Sequence, residues 1–386
     1  IEDVIRTYNG KPNFKKTNPE VQQLPRINGD AGNVYIRLKN FSAWLSLFIP
    51  GVEKPYAVGK SSLLDIKSSD NNLVFNGFST DTSTHADYLL SIFRDQSPVS
   101  FSLKNHVPNR TVIFTSFGVN NGGAFSEALQ RFVSVHKPQF ADSLKKLSTG
   151  LSFNWNDLYS EVSDEIGLCQ VEGMSGQRLS KILMIETKSP DVWIRNLDAL
   201  SEKLSEDTVF YEKFSDYVIR EIPAYRFPEK LLWPLVQGFD HTFYSSYGNV
   251  VYMADNLEEL KYFLEDIEHE DIWGKSVSKN QFLETTLLES NISVFVNTPK
   301  VWNVLTPKLN SRWRQFVRDN QSLLQSVQMT AFQFSHLNNT YYTNVTLNQM
   351  EGRPEVAFAS SARRNVVHFA HPLQRVHAGK SHVSQA

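Results

Sequence analysis

The feature that most restricts the fold of this sequence is a short layout that recurs along the chain. A run of five or six apolar residues is followed by a short polar stretch, here called the polar step, and then by an amphipathic helical pattern. In the copy NVVYMADNLEELKYFLEDI, at 249–267, the helical spacing places Leu257, Leu260, Phe263, Leu264 and Ile267 on one face. Further copies begin at 33, 111, 181 and 291. Each copy predicts a strand that leads into a helix.

The polar step of each copy supplies a residue suited to cap a helix. Side chains of this type accept the free N–H groups of the first helical turn. Pro190 and Pro299 lie just inside two of the predicted helices, where the missing proline N–H costs nothing. The predicted capping residues are Asn40, Asn120 or Asn121, Ser189, Asp255, and Asn297 or Thr298.

Hairpin patterns accompany these strand–helix copies. The stretch 61–80 predicts a turn at Ser69-Asp70-Asn71-Asn72, and 326–348 predicts one at Asn338-Asn339, because Asn tolerates a left-handed backbone. Two shorter hairpins are predicted, with turns at Tyr247-Gly248 and through Gly173 to Gly176.

The order strand, helix, hairpin occurs at 33–80 and again at 292–348. This order predicts an α+β protein whose antiparallel sheets carry helices on one face and are built from repeated β-α-β-β units. The repeated positions hold apolar strand residues, helix-capping residues and apolar helix residues. They therefore indicate packing and not a shared chemistry.

The length of 386 residues allows two or three domains. Residues 1–31 are polar and predict an extended arm or an incomplete upstream segment. Residues 32–150 and 151–350 predict a first and a second α+β repeat domain. Residues 351–386 lose the pattern and predict a linker or the start of a missing C-terminal domain.

Composition excludes several classes of protein. The formal net charge is −2, with 39 basic and 41 acidic residues well mixed, so a nucleic-acid surface is not expected. No apolar run approaches the ~20 residues of a membrane helix. The chain begins at Ile1, so we expect any signal peptide or lipid anchor to lie upstream. A single cysteine, Cys169, leaves the cellular compartment open.

Two candidate sites involve glycine and cysteine. The stretch GVNNGGAF (118–125) lies between a strand and a helix, where a phosphate-binding loop would lie, but it lacks both nucleotide fingerprints. A flexible strand-to-helix turn is favoured. Cys169 lies in a strand pattern with no partner histidine nearby in sequence, so burial is favoured over a nucleophilic role.

Acidic and histidine clusters are further candidate sites. The acidic pairs predict a solvated face more readily than a glycosidase pair, which needs carboxylates opposed across a cleft. The histidine spacings near the C-terminus do not fit a zinc finger. The acidic pairs are Asp164/Glu165, Glu258/Glu259 and Glu265/Asp266 with Glu268, Glu270 and Asp271; the histidines are His368, His371, His377 and His382.

Aromatic residues make up 12% of the chain, which allows either a large core or a carbohydrate platform. Trp44, Trp193 and Trp302 occupy equivalent places early in three predicted helices, so a shared packing role is expected. Exposed tyrosines would serve a platform, and the candidates are Tyr244, Tyr247, Tyr341 and Tyr342.

The stretch LDIKSSDNNLVFNGFSTDTSTHADYLLSIFRDQSPVSFSLKNHVPNRTVIFTSFGVNN (64–121) resembles large envelope proteins of Bacteroidota. DEIGLCQVE (164–172), LEELKYFLEDI (257–267) and the hairpin before Leu347 fit the same pattern. That family contains a repeat-built domain of unknown function, and its longer members continue into a β-rich, propeller-like region. The resemblance implies an exported, often lipid-anchored protein and supplies no catalytic residues.

These observations predict a non-enzymatic cell-envelope protein of the periplasm or outer membrane. It would act as a protein-binding scaffold or as an accessory subunit of an outer-membrane complex, with other envelope proteins as partners. Any membrane association would come through an anchor outside the chain. No catalytic, cofactor-binding or metal-binding residue is predicted. Two alternatives stay open, a glycan-binding or glycan-processing envelope protein and a cytosolic binding module.

Overall fold

The computed structural model describes residues 9–10, 32–40, 57–69, 71–81, 86–173, 179–205 and 208–349. All the described residues belong to one compact unit, Ile1–Met350. The predicted segment 351–386 and nearly all of the predicted arm 1–31 lie outside the described residues.

The strands within these residues are β1 (Asn33–Ile36), β2 (Ser61–Ser68), β3 (Asn72–Thr80), β4 (Val99–Ser100), β5 (Thr111–Gly118), β6 (Val162–Glu172), β7 (Leu179–Thr187), β8 (Tyr211–Phe214), β9 (Tyr217–Glu221), β10 (Phe243–Tyr247), β11 (Val250–Ala254), β12 (Glu289–Ser290), β13 (Ile292–Asn297), β14 (Val327–Leu337) and β15 (Thr340–Gln349).

The helices are α1 (Gly122–His136), α2 (Pro138–Ser148), α3 (Trp155–Ser160), α4 (Pro190–Leu204), α5 (Phe227–Leu232), α6 (Leu257–Glu268), α7 (Val277–Glu284), α8 (Thr298–Leu305), α9 (Ser311–Asp319) and α10 (Gln321–Leu324). Among the described helices, none is both long and apolar enough to cross a membrane.

Thirteen strands form one antiparallel sheet in the order β1-β2-β3-β15-β14-β13-β5-β6-β7-β11-β10-β9-β8, and β4 pairs separately with β12. An α+β fold with antiparallel pairing is thus confirmed. The predicted domains 32–150 and 151–350 share this sheet, because β5 pairs with β6 on one side and with β13 on the other. Residue 150 therefore does not separate two sheets. The β5–β6 and β5–β13 pairings satisfy backbone N–H and C=O groups that would stay unpaired at the edges of two separate sheets.

Helices cover both faces of the sheet, and the prediction that they lie on one face is wrong. One core cluster contains Leu183 and Ile185 of β7 together with Trp193 of α4. A second contains Ile182 and Met184 of the same strand together with α6 residues such as Phe263. All five residues of β11 are buried as well. Strands that are apolar on both sides need a covering layer on each face.

The local predictions for turns and caps are confirmed in part. Ser189 precedes α4, but its side chain makes no capping hydrogen bond. The helix expected after Asn40 and most of the turn expected from Gly173 to Gly176 fall on residues outside those described. Asn338 has φ +56° at the β14–β15 turn, the left-handed conformation that Asn tolerates. The side chains of Asn121 and Asn297 accept hydrogen bonds from the first turns of α1 and α8. The cap of α6 is Asn256 and not the predicted Asp255, because the Asn256 side chain accepts from the Glu259 N–H at 3.1 Å.

Candidate functional site

One of the two ends of the described sheet, the end at β8, carries exposed aromatic and apolar side chains. Strand β8 lies last in the strand order and pairs only with β9. Phe210 precedes this strand, Tyr211 begins it, and Val218 lies on β9. All three are exposed, and Tyr211 is 72% accessible. Tyr211 and Val218 lie on the same face of the hairpin, because Val218 pairs with Lys213, two residues after Tyr211. We call Tyr211 and Val218 the edge patch.

The alternation of strand side chains places this patch on the surface. The β8–β9 hairpin turns at Ser215, which has φ +49°. Tyr217 and Ile219 point into the core, and Val218 between them points outward. Two short alternating runs around Ser215-Asp216 are a signal for the hairpin, but the sequence does not show which of their faces stays uncovered.

A shallow groove of about 340 Å³ lies beside the edge patch, between α4 and the β8–β9 hairpin. Its polar groups include Asp198, whose carboxylate lies 3.1 Å from Arg220 Nε and accepts a hydrogen bond from Tyr244 Oη at 2.6 Å. Burial and this hydrogen bond raise the pKa of Tyr244, so the phenol keeps its proton and acts as the donor. The groove is lined by Asp198, Glu202, Val209, Tyr211, Val218 and Arg220.

The acidic groups form the predicted solvated face only in part, since Asp164, Glu258, Glu268, Glu270 and Asp271 are exposed. One member of each pair is buried, namely Glu165, Glu259 and Asp266. Arg110 accounts for two of them, because its Nε lies 2.6 Å from Asp266 and its Nη1 lies 3.6 Å from Glu259. A buried carboxylate is stable only when it is paired or hydrogen-bonded, so this cluster ties the residue that precedes β5 to α6.

Glu165 belongs to a second buried cluster, and only 1% of its surface is exposed. Its Oε2 accepts from the Leu103 N–H at 2.7 Å and lies 2.8 Å from Ser102 Oγ, while its Oε1 accepts from Ser116 Oγ. Ser102 Oγ also lies 2.6 Å from Glu186 Oε2, and Asn249 Nδ2 donates to Glu186 Oε1 at 2.8 Å. Both carboxyl groups are enclosed, so a polysaccharide could not lie between them.

Cys169 is fully buried, as its strand pattern predicts. Its Sγ lies 3.1 Å from Thr111 Oγ1, and burial raises the pKa of the thiol to about 12. A thiol of this kind carries almost no thiolate near neutral pH and is a poor nucleophile.

The GVNNGGAF stretch forms the predicted strand-to-helix turn. β5 ends at Gly118, and α1 begins at Gly122 after the Asn121 cap. A Cβ atom at Gly122 would collide with the carbonyl oxygen of Tyr159. This glycine therefore allows α1 and α3 to approach closely.

The aromatic candidates divide by burial. Trp193 is fully buried, Trp302 is only partly buried, and Trp44 lies outside the described residues. Tyr244 and Tyr341 are buried and offer no ring face to a sugar, whereas Tyr247 is exposed and Tyr342 is partly exposed.

The C-terminal histidines lie outside the described residues. Within the described ranges, no group of three or more His, Cys, Asp or Glu side chains could hold a metal ion.

Comparisons with protein-family models, with curated proteins and with solved structures find no significant match.

Proposed function

We propose that this chain is a non-enzymatic protein of the cell envelope that acts as a protein-binding scaffold, or as an accessory subunit of a periplasmic or outer-membrane complex. The observation that carries the proposal is the edge patch on the last strand of the sheet. The partners of this chain would be other envelope proteins.

The edge patch has the chemistry of a protein interface. An edge strand presents unpaired backbone N–H and C=O groups to which an extended partner segment can add as a further strand. Tyrosine is enriched at interface centres, and Tyr211 supplies a large exposed ring there. The neighbouring groove is shallow and carries both signs of charge, because Glu202 and the Asp198–Arg220 ion pair line it, and such a lining suits the polar rim of an interface.

We further propose that the sheet is built from repeated β-α-β-β units. The groups β1-β2-β3, β5-β6-β7 and β13-β14-β15 each place a first strand beside a hairpin. Helices lie in the second and third connections, at 119–161 and 298–326. The corresponding connection of the first group includes 41–56, which lies outside the described residues. This arrangement supports a scaffold because it extends one sheet over many strands.

The glycan alternative has less support. Two of the four tyrosines suggested for a platform are buried, and the carboxyl pair Glu165/Glu186 is enclosed. The cytosolic alternative differs from the proposal only in location. Fractionation of the native cells separates these two, since a protein recovered wholly in the cytosolic fraction contradicts an envelope role.

A photo-crosslinking amino acid at position 211 tests the proposal in cells. The matched control carries the same group at position 225, because Tyr225 is 63% exposed but lies outside the groove. We expect a discrete crosslinked species from position 211, with an envelope protein as the adduct, and none of that mass from position 225. Val218→Asp should abolish the crosslinked species from position 211, because a carboxylate would interrupt the apolar patch.

Absence of an adduct at 211, or the same adducts at 211 and 225, would contradict a protein-binding edge. Binding to a glycan array that is lost on substitution of Tyr247, with no protein adduct, would favour the glycan alternative.

A further inference from the structure

One serine hydroxyl lies between two buried carboxyl groups. Ser102 Oγ is 2.8 Å from Glu165 Oε2 and 2.6 Å from Glu186 Oε2, both hydrogen-bonding distances. A serine hydroxyl has one proton and can donate only one of these bonds. The other bond needs a proton on the second carboxyl group. From this count we infer that Glu165, Ser102 and Glu186 form a proton-binding site, and that its shared proton fastens residues 99–106 to the sheet.

The hydrogen-bond partners indicate which carboxyl group carries the proton. Glu165 accepts from the Leu103 N–H and from Ser116 Oγ, and both donors favour the ionised form. Glu186 has one further donor, Asn249 Nδ2, on its Oε1. The consistent arrangement has Glu186 Oε2–H donating to Ser102 Oγ, and Ser102 Oγ–H donating to the Glu165 carboxylate.

The surrounding charges also favour retention of a proton. Burial, as the largest cause, raises the pKa of both carboxyl groups; the charge of Glu186 raises the pKa of Glu165, and the charge of Asp164 raises that of Glu186. Among the described residues, no cation contributes to the pKa shift of either carboxyl group. Segment 99–106 also carries Lys104, whose Nζ lies 3.5 Å from Asn280 Oδ1, and His106, whose Nδ1 lies 2.6 Å from Tyr252 Oη. Burial lowers the pKa of His106, so it adds no cation near neutral pH.

The shared proton holds a segment that closes part of the core. Phe101, next to Ser102, stacks on Phe114 and Phe295 with ring centroids 5.2 Å away in both cases. The same segment contributes Ser100, Phe101 and Lys104 to the wall of a separate groove of about 370 Å³. Loss of the proton leaves two carboxylates facing one hydroxyl, so one of the two hydrogen bonds must break.

The sign of the pH effect follows from the raised pKa values. A carboxyl group whose pKa is higher in the folded state binds its proton more tightly there. The contribution of this group to folding stability is complete below about pH 4.5, the ordinary pKa of a Glu carboxyl group. That contribution is lost as the pH rises through the folded-state pKa.

Two isosteric substitutions test the inference. Glu186→Gln mimics the protonated side chain, because its amide N–H can donate to Ser102 Oγ and its carbonyl can accept from Asn249. Glu165→Gln instead places an N–H against the donors Leu103 N–H, Ser102 Oγ–H or Ser116 Oγ–H. The free energy of unfolding of both variants and of the wild type is measured in urea from pH 5 to pH 9. All other titrating groups are common to the three proteins, so the differences isolate this site.

We expect Glu186→Gln to match the wild type at pH 5 and to exceed its stability progressively towards pH 9. Glu165→Gln should be less stable than the wild type throughout. The Leu103 amide proton, followed by NMR, should shift with rising pH in the wild type and stay constant in Glu186→Gln. Infrared spectra in D₂O should show a protonated carboxyl band that Glu186→Gln lacks.

A pH-independent difference between Glu186→Gln and the wild type overturns the inference. So does a Glu186→Gln variant that fails to fold or is as unstable as Glu165→Gln, because a mimic of the protonated state must preserve the site. Absence of the infrared band at the acid end of the range has the same consequence.

Discussion

Two connections occupy equivalent places in the strand order and differ in what they bury. Residues 119–161 lead from β5 to the β6–β7 hairpin, and residues 298–326 lead from β13 to the β14–β15 hairpin. Helices α1 and α3 of the first connection bury aromatic and aliphatic side chains such as Phe125, Phe132 and Trp155. Helices α8, α9 and α10 of the second contain no buried residue. The same position in a topology can therefore build a core or lie loosely on its surface.

The largest expected effect comes from the first connection. Phe125 is fully buried, and its ring lies 6.0 Å from that of Phe93 and 6.4 Å from that of Tyr159, centroid to centroid. Truncation of a buried Phe to Ala costs roughly 3–5 kcal/mol. We expect Phe125→Ala to lower the free energy of unfolding by this amount in urea titrations. A loss under about 1 kcal/mol would show that α1 is not part of the core.

The second effect tests the close approach of α1 and α3. Gly122→Ala places a methyl group against the Tyr159 carbonyl oxygen, and overpacking of this kind costs about 1–3 kcal/mol. Gly123→Ala is the matched control, because the nearest atom to its added Cβ would be Asn121 Oδ1 at 3.5 Å. The control should be neutral or more stable by up to about 1 kcal/mol, since Ala favours a helix over Gly. Equal melting temperatures for the two variants would contradict the close contact.

The third effect belongs to the second connection. Trp302 was predicted to pack like Trp193, but it is only partly buried, whereas Trp193 is fully buried. Folding removes less apolar surface from water at Trp302 than at Trp193. We therefore expect Trp302→Ala to lower the free energy of unfolding by about 1–2 kcal/mol. Trp193→Ala should cost roughly 3–5 kcal/mol, and thermal unfolding of the two variants compares them. If the two losses are the same, the two tryptophans share the predicted packing role.

Local sequence signals predicted much of this fold. Turn residues and caps act within a few residues, so neighbouring residues alone indicate the turn at Asn338 and narrow two caps to adjacent pairs, from which the structure selects Asn121 and Asn297. The helices on both faces also had a signal, because VVYMA at 250–254 is apolar without alternation, which is typical of a strand buried on both sides.

Burial of polar groups could not be predicted in this way. Glu165 and Glu258 both lie in acidic pairs, but only Glu165 is enclosed. Its partners Ser102 and Ser116 are distant in sequence and come close only when β5, β6 and segment 99–106 assemble. The edge patch has the same origin, since exposure of Tyr211 depends on which strand ends the sheet.

The smallest expected effect is at Phe316 of α9, which is 43% exposed. Its ring makes an edge-to-face contact with Trp313 at 5.5 Å between centroids, a contact worth about 0.5–1.5 kcal/mol in aromatic pairs. Exposure reduces the gain, so we expect Phe316→Ala to lower the free energy of unfolding by about 0.5 kcal/mol. Phe125→Ala provides the matched comparison, because the same atoms are removed from the other connection. Urea titrations of both variants should then differ several-fold. A loss at Phe316 close to that at Phe125 would mean that the second connection holds the sheet as firmly as the first, and the contrast between the two connections would not hold.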